Sequence, residues 1–306
     1  MTKMISYNIP VAILHDNDII GQMKQQHHAT ITIIFPNHNG GKEPLECLQS
    51  IKKLNYPKKL LEIIVVDNAS SDGSDKKIKK QFPFVKLISL EQNVGFARSI
   101  NRGLTDAHGD FIFIGNDDLL FHPDSLLNLV HYWQKNPTVG LLGGSIYFKS
   151  DRQKICSSGY AMNQWTGMIH SLTNEDNQNA DWFQGCALLT SRKLLHKIGG
   201  LDPAYELLFD DFDLALRIKH AGFAIKYVPG AIFWHGESVT VDRNKPHKYY
   251  HWYKSKFRFL IKHYPWINVC SIFFLQMFII TPYRALILHD GRLIPFLKGL
   301  WWNIIH

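Results

Sequence analysis

The chain has 306 residues, 45% of them apolar and 20% charged. That length holds one large α/β domain with an appendage, or two small domains, and the composition excludes a disordered or collagen-like chain. The net charge of +8 is uneven: from Asp242 to His306 ten Lys and Arg face two Asp and Glu, so the first 241 residues are neutral overall.

A basic tail suits phosphate-rich partners such as anionic headgroups. The four cysteines, Cys47, Cys156, Cys186 and Cys270, form no C-x-x-C pair. That sets aside a disulfide framework or zinc site and fits a reducing cytosol. The first residues lack a basic start, apolar run and cleavage site, so no signal peptide is expected. Residues 1–28 read as a variable, polar lead-in.

Ala29–Phe35 (ATITIIF), ending at Pro36, reads as a buried parallel strand. Leu45, Leu48 and Ile51 recur at helical spacing. Leu61–Val66 (LEIIVV) is a second strand that stops at Asp67, before the turn-rich NASSDGS. Phe84–Leu90 is a third strand, and Phe96, Ile100 and Leu104 mark a helix. Asp110–Ile114 is a fourth strand, ending in Gly115-Asn116-Asp117-Asp118. This alternation predicts a mostly parallel central sheet flanked by helices. Beyond it come a strand at Gly140–Phe148, a polar loop through Asn179, a helix at Asp211–Ala221 and a strand at Tyr227–Trp234.

From Tyr249 aromatic and basic residues interleave (YYHWYKSKFRFLIKHYPW), and the apolar run Trp266–Ile280 follows. At 15 residues this run is short of the ~20 that a spanning helix requires. Interfacial helices lying in the headgroup region fit best, with a packed appendage or a true span as the other readings. The expected division is a lead-in at 1–28, a catalytic domain at 29–240 (nucleotide-binding half 29–120, acceptor half 121–240) and a basic, aromatic helical region at 241–306.

In an open parallel sheet, ligands sit beyond the carboxyl ends of the strands. Three such ends carry polar groups: Pro36-Asn37-His38-Asn39, Asp67-Asn68-Ala69-Ser70 and Asn116-Asp117-Asp118. Each alone is an ordinary cap or turn; three together predict one crevice. A divalent cation would relieve repulsion between Asp117 and Asp118. Asp213 and Arg217 are i, i+4 partners and read as structural. Asp211 is either a buried cap or a working base, and His235 a metal ligand or phosphate binder. The segment PNHNGG after the first strand lacks the G-x-G-x-x-G of a dinucleotide-binding dehydrogenase.

Six segments, FPNHNG, IIVVDNASSDGS, NVGFARSINRG, FIGNDDLLFHPDSL, GGLDPAYELLFDDFDLALRIKHAG and VPGAIFWHGES, stand in order from Ile31 to Ser238. In that combination the chain resembles glycosyltransferase family 2, including rhamnosyltransferase-like enzymes of bacterial surface polysaccharides. The resemblance implies a GT-A fold and an inverting glycosyltransferase. Its donor would be a UDP- or dTDP-linked sugar, and its acceptor a hydroxyl of a glycan or polyprenyl-diphosphate-linked lipid.

Residue by residue, the resemblance implies that Asp67 binds the base or ribose, helped by Pro36, Asn39 and Asn68. Asn93, Gly95 and Arg98 would lie along the donor, with Asn116 and Asp117. Asp118, joined by His235, would ligate Mg²⁺ or Mn²⁺. Asp211 would be the base, and Trp182, Gly185 and Asp210 would line the acceptor side. The sequence departs from the family's pattern at Asn116, where many members have Asp, and at Asp210, where Glu is usual. The expected setting is the cytoplasmic face of the inner membrane, with an anionic membrane surface and no nucleic acid as partner. The alternative is a non-catalytic sugar- or lipid-binding protein of the same fold.

Overall fold

The computed structural model describes residues 29–173, 180–236, 245–286 and 291–305. The lead-in, the last part of the expected polar loop and the boundary between catalytic domain and tail lie outside the described residues.

Strands β1 (Ile31–Asn37), β2 (Leu61–Asp67), β3 (Lys86–Ser89) and β4 (Phe111–Gly115) pair in parallel in the order β3-β2-β1-β4. Near-unbroken apolar runs form β1, β2 and β4 because both sheet faces are covered. Helices α1 (Glu43–Lys52), α2 (Ser74–Gln81) and α3 (Phe96–Thr105) supply that cover. One face of α1 buries Cys47, Leu48 and Ile51, and one face of α3 buries Ala97, Ile100 and Leu104.

The second half comprises β5 (Leu119–Phe121), α4 (Ser125–Lys135), β6 (Val139–Phe148), β7 (Ile155–Ser157), β8 (Gly159–Met162), β9 (Ile169–Leu172), β10 (Ala187–Ser191), α5 (Arg192–Lys197), α6 (Asp210–His220) and β11 (Ala224–His235). The sheet continues as β4-β10-β6-β11-β5, with β7 on β6. Strands β10, β5 and β7 oppose the other six, so the sheet is mixed but runs mostly one way. Strands β7, β8 and β9 occupy part of the stretch read as a polar loop: they are too short to show a period. Strand β10 enters between β4 and β6, bridging the two halves. Phe113, Phe121 and Phe233, with ring centroids 5.0 to 5.4 Å apart, lock β4, β5 and β11 together.

The tail folds as α7 (Lys245–His263), α8 (Trp266–Leu275), a π-helical turn (Gln276–Ile280), α9 (Thr281–Leu286) and α10 (Leu293–Ile305). Pro282 cannot donate to the preceding turn, and a wider turn there relieves the clash of its ring with the helix. Helix α7 belongs to the main body. Phe259 packs on Phe212 and Phe209 at 4.1 and 5.5 Å, and Trp252 meets Phe209 edge-on at 5.3 Å. Helix α10 then packs on α7 through Phe296, which touches Tyr253 and Phe257.

The junction of α6 and α7 is held by a buried charge. Asp213 is fully buried and accepts hydrogen bonds from Arg217 Nε at 2.7 Å, Lys262 Nζ at 2.6 Å and His263 Nε2 at 2.8 Å. Burial alone would raise its pKa; the His263 hydrogen bond and the charges of Arg217 and Lys262 outweigh burial and hold the carboxyl well below the usual range. A carboxylate with a depressed folded pKa contributes stability above its unfolded value of about 4 and loses it as pH falls. Replacing Asp213 by Ala strands the cations, and breaking a buried pair costs about 3–5 kcal/mol. Urea unfolding at neutral pH should show that loss for Asp213→Ala, shrinking in acid; a loss under about 1 kcal/mol would contradict the anchor.

Candidate active site

The carboxyl ends of β1 and β2 build a polar knot. Pairing of Asn37 with Asp67 brings their side chains together. Buried Asn37 has Nδ2 within hydrogen-bond distance of Asp67 Oδ1 (2.8 Å), Ser74 Oγ (2.9 Å) and Ser70 Oγ (3.0 Å), its two N–H donors shared among them. The second oxygen of Asp67 accepts the Ser70 amide at 3.1 Å. Pro36 precedes the knot on β1. Asn39, left-handed at φ 55°, accepts the Ser71 N–H at 2.7 Å. His38 Nδ1 donates to the Asn68 carbonyl at 2.8 Å.

Asn68 carries the network toward α3. Its amide donates to Asn93 Oδ1 at 2.8 Å and its oxygen accepts the Val94 N–H at 2.8 Å. Gly95 follows at φ 84°, and a Cβ there would lie 3.1 Å from the Glu206 carbonyl. Glycine therefore serves both the turn and the close approach. Arg98, one turn into α3, donates to the Pro203 carbonyl at 3.3 Å. The segment Asn93–Arg98 thus joins the β2 end to the 203–206 loop.

After β4 the chain crosses the sheet through Asn116-Asp117-Asp118 and pairs at the far edge, Leu119 opposite His235. That pairing sets Asp118 Oδ1 3.1 Å from His235 Nε2, which also accepts from Asn116 Nδ2 at 3.1 Å. Oδ1 is buried without a hydrogen-bond donor, an expensive state for a carboxylate oxygen. Asp117 is pushed up to about 7 by burial and then by the Asp118 charge.

Asp211 sits in the first turn of α6. It accepts the Gly185 N–H at 2.9 Å through Oδ2 and the Phe212 N–H at 2.8 Å through Oδ1. Gly185 precedes β10, whose Ala187 pairs with Gly115 of β4. Asp118 and Asp211 are therefore tied to neighbouring ends of one strand pair. Buried Cys186 senses both: burial pushes its thiol up, and the Asp118 and Asp211 charges add to the effect. Trp182 is buried and stacked between Tyr160 at 5.2 Å and Phe212 at 3.8 Å. It walls this region and fixes the ring beside Asp211.

Burial raises the carboxyls of Asp210 and Asp211, and Asp210 is raised further by the Asp211 charge. The two carboxyls titrate as an interacting pair, both above the ordinary carboxylate range. Sequence reasoning did not single out the roles of Asn37 as hub, Cys186 as bridge or Glu206 as neighbour of Gly95. Asn37 left a signal, a polar residue closing an apolar strand; Glu206 left none.

The mixed sheet flanked by helices is of the GT-A kind. A mannosyltransferase from Pyrobaculum calidifontis, solved with GDP-Man and Mn²⁺, superposes with a TM-score of 0.60 at 18% identity over 92% of each chain. Staphylococcus aureus TarS 1–349 with UDP gives 0.60 at 16% identity, over 89% of this chain and 81% of its own. The chain belongs to Glycosyl transferase family 2, whose family model matches residues 32–199, more than half of the sequence. An N-acetylglucosaminyl-diphospho-decaprenol L-rhamnosyltransferase of Mycobacterium tuberculosis is 25% identical over 235 residues, covering 67% of this chain and 76% of that one. A poly-β-1,6-N-acetyl-D-glucosamine synthase of Staphylococcus epidermidis is 26% identical over 223 residues. That match covers 69% of this chain and 52% of the synthase.

A base must be ionised to accept a proton, so a base at Asp211, whose carboxyl burial raises, would set an acid limb above the ordinary carboxylate value of about 4. The kcat/KM profile should fall as pH drops through that limb. Asp210→Asn should leave the limb above the ordinary carboxylate value, because burial is the first cause that raises Asp211. A midpoint that falls to about 4 in Asp210→Asn would show that the neighbouring acid, not burial, sets the limb.

Proposed function

We propose that this glycosyltransferase moves a sugar, with inversion, from a UDP- or dTDP-linked donor to a hydroxyl of a glycan or polyprenyl-diphosphate-linked acceptor. The setting is cell-surface polysaccharide assembly on the cytoplasmic face of the inner membrane. The observation that supports this reading is the β4–β10 pairing, which brings the Gly185 segment that holds Asp211 to the end of β4, with Cys186 within reach of both the Asp118 and Asp211 charges. Relatives in polysaccharide synthesis support it, one of them named for a lipid diphosphate acceptor.

Asp67, in the Asn37 knot, binds the base or ribose; Pro36, Asn39 and Asn68 shape that end. Asn93, Gly95 and Arg98 line the donor, with Asn116 and Asp117 beneath its diphosphate. Asp118 and His235 hold a divalent cation, Mg²⁺ or Mn²⁺. Their facing atoms, 3.1 Å apart, fit this role: adjacent ligands on an octahedron of that size are about 3 Å apart. The buried, donorless Oδ1 of Asp118 gains the partner it lacks. Among the described residues no three His, Cys, Asp or Glu group to hold a metal alone, so the cation would be held by these two residues together with substrate oxygens. Bound there, the cation supplies charge stabilisation to the leaving diphosphate.

Asp211 takes the proton from the acceptor hydroxyl as that oxygen attacks the anomeric carbon and the bond to the diphosphate breaks. The Gly185 and Phe212 amides orient its carboxylate. Trp182, Gly185 and Asp210 form the acceptor wall. The expected division, catalytic residues 29–240 with a basic tail at 241–306, follows the same logic, the tail meeting an anionic bilayer.

Asp211→Asn should keep donor binding, read by thermal shift with UDP or dTDP and Mn²⁺, and lose about 10²–10⁴-fold in transfer. Asp118→Asn should lose the Mn²⁺-dependent part of the thermal shift. Normal turnover in Asp211→Asn, or full activity of the parent protein in excess chelator, would refute the assignment.

A further inference from the structure

Helix α8 and its continuation are turned inside out for a helix in water. Asn268, Gln276 and Thr281 are buried, while Trp266, Ile267, Phe274, Phe278 and Tyr283 are exposed, Ile267 at 66% and Phe278 at 62%. The segment Trp266–Arg284 has a mean hydropathy of 1.5 and is mostly unburied. Helix α10 adds exposed Ile294, Leu297 and Trp301 around exposed Lys298. Exposed apolar helix faces of this kind mark an interaction site.

The catalytic domain contributes to the same surface. The turn of the β8–β9 hairpin, Asn163–Met168, leans on the start of α8. Asn268 Nδ2 donates to the Gln164 carbonyl at 3.2 Å, Ser271 Oγ to the Trp165 carbonyl at 2.9 Å, and Lys256 Nζ to the Gly167 carbonyl at 2.8 Å. Gly167, at φ 65°, permits this approach; a Cβ there would lie 2.7 Å from Ile272. The turn is stiff. Asn163 Oδ1 accepts the Trp165 and Thr166 amides at 2.9 and 3.0 Å, and its carbonyl accepts the Gly167 N–H at 2.7 Å. Yet Trp165 and Met168, at its tip, are 50% and 52% exposed.

We propose that this hairpin turn is a second lipid contact, seating Trp165 and Met168 beside the outer face of α8 in the headgroup region of an anionic bilayer. The proposal rests on the membrane reading of the tail given above. Three features favour lipid over a protein partner. Trp and Met border an apolar face, as interfacial anchors do. The described tail carries only basic charges, with no Asp or Glu from Lys245 onward among those residues. The polar side chains of α8 are spent on the hairpin and face inward.

The consequence is orientation. The foot of the hairpin pairs Tyr160 with Trp182, which stacks on Phe212 beside Asp211. A rigid path of strand and rings therefore links the lipid contact to the base. An acceptor held in the bilayer by its lipid reaches the cleft from that side.

The test is co-sedimentation of the full chain with vesicles of phosphatidylglycerol and phosphatidylcholine. The proteins compared are the parent, the W165S/M168S hairpin variant and an I267S/F278S helix variant. The parent should pellet with the vesicles, and the hairpin variant should partition roughly ten-fold more weakly with an unchanged melting temperature. Should the double variant melt early, Trp165→Gln alone carries the comparison, with a smaller loss in the same direction. If the parent and hairpin variant bind equally while the helix variant is lost, the hairpin proposal fails and the membrane reading stands. If the parent stays in the supernatant, both fail. A vesicle-free dimer that W165S/M168S converts to monomer would assign the surface to a second copy and overturn the lipid contact.

Discussion

The insertion of β10 between β4 and β6 holds the site together. Its first residue pairs with Gly115, the last residue of β4, so the segment before it, including Gly185, lies against the exit of the Asn116–Asp118 crossing. Gly185 in turn fixes the Asp211 carboxylate. Two acids separated by 93 positions in sequence are thereby placed by one strand end. The far side of the crossing is fixed with equal economy, since the pairing of Leu119 with His235 determines what faces Asp118.

Electrostatics then divides the acids by role. Asp213 is surrounded by cations and stays charged at depth, where it ties α6 to α7. Asp210 and Asp211 lack such partners, and burial raises both. Asp118 keeps an oxygen unpaired inside the protein. A carboxylate left in that state is costly in a folded chain, and the proposed cation would resolve that cost on binding. The same α6 carries the Asp213 anchor and Asp211, so the docked helix α7 and the Asp211 carboxylate share one rigid element.

The parallel half of the fold was legible in the sequence because its strands are buried on both faces and read as apolar runs. The Asp67, Asp118 and Asp211 motifs also stood out, each at the end of a periodic segment. The antiparallel half was harder to read. Strand β5 has three residues and β10 five, and neither length displays alternation. Strand β10 passes between two strands remote in sequence, which local pattern does not encode. The tail was ambiguous for a related reason: its aromatic and basic residues serve both a packed helix, α7, and an outward apolar face, α8. Composition alone does not separate them, because Phe259 in the core and Phe278 in the open sit in similar sequence. Likewise, nothing local to Glu206 predicts its place against Gly95, which depends on how two loops meet.

The central claim is that Asp118, His235 and Asp211 open onto one cleft that holds a cation and a nucleotide diphosphate. The most direct measurement is the anomalous scattering of Mn²⁺ in crystals grown with Mn²⁺ and UDP. The expected result is a manganese peak bonded to Asp118 and His235, touching the UDP phosphates, with Asp211 across the space left for one sugar. A peak elsewhere on the protein, or a diphosphate seated where Asp211 faces away from it, would contradict it.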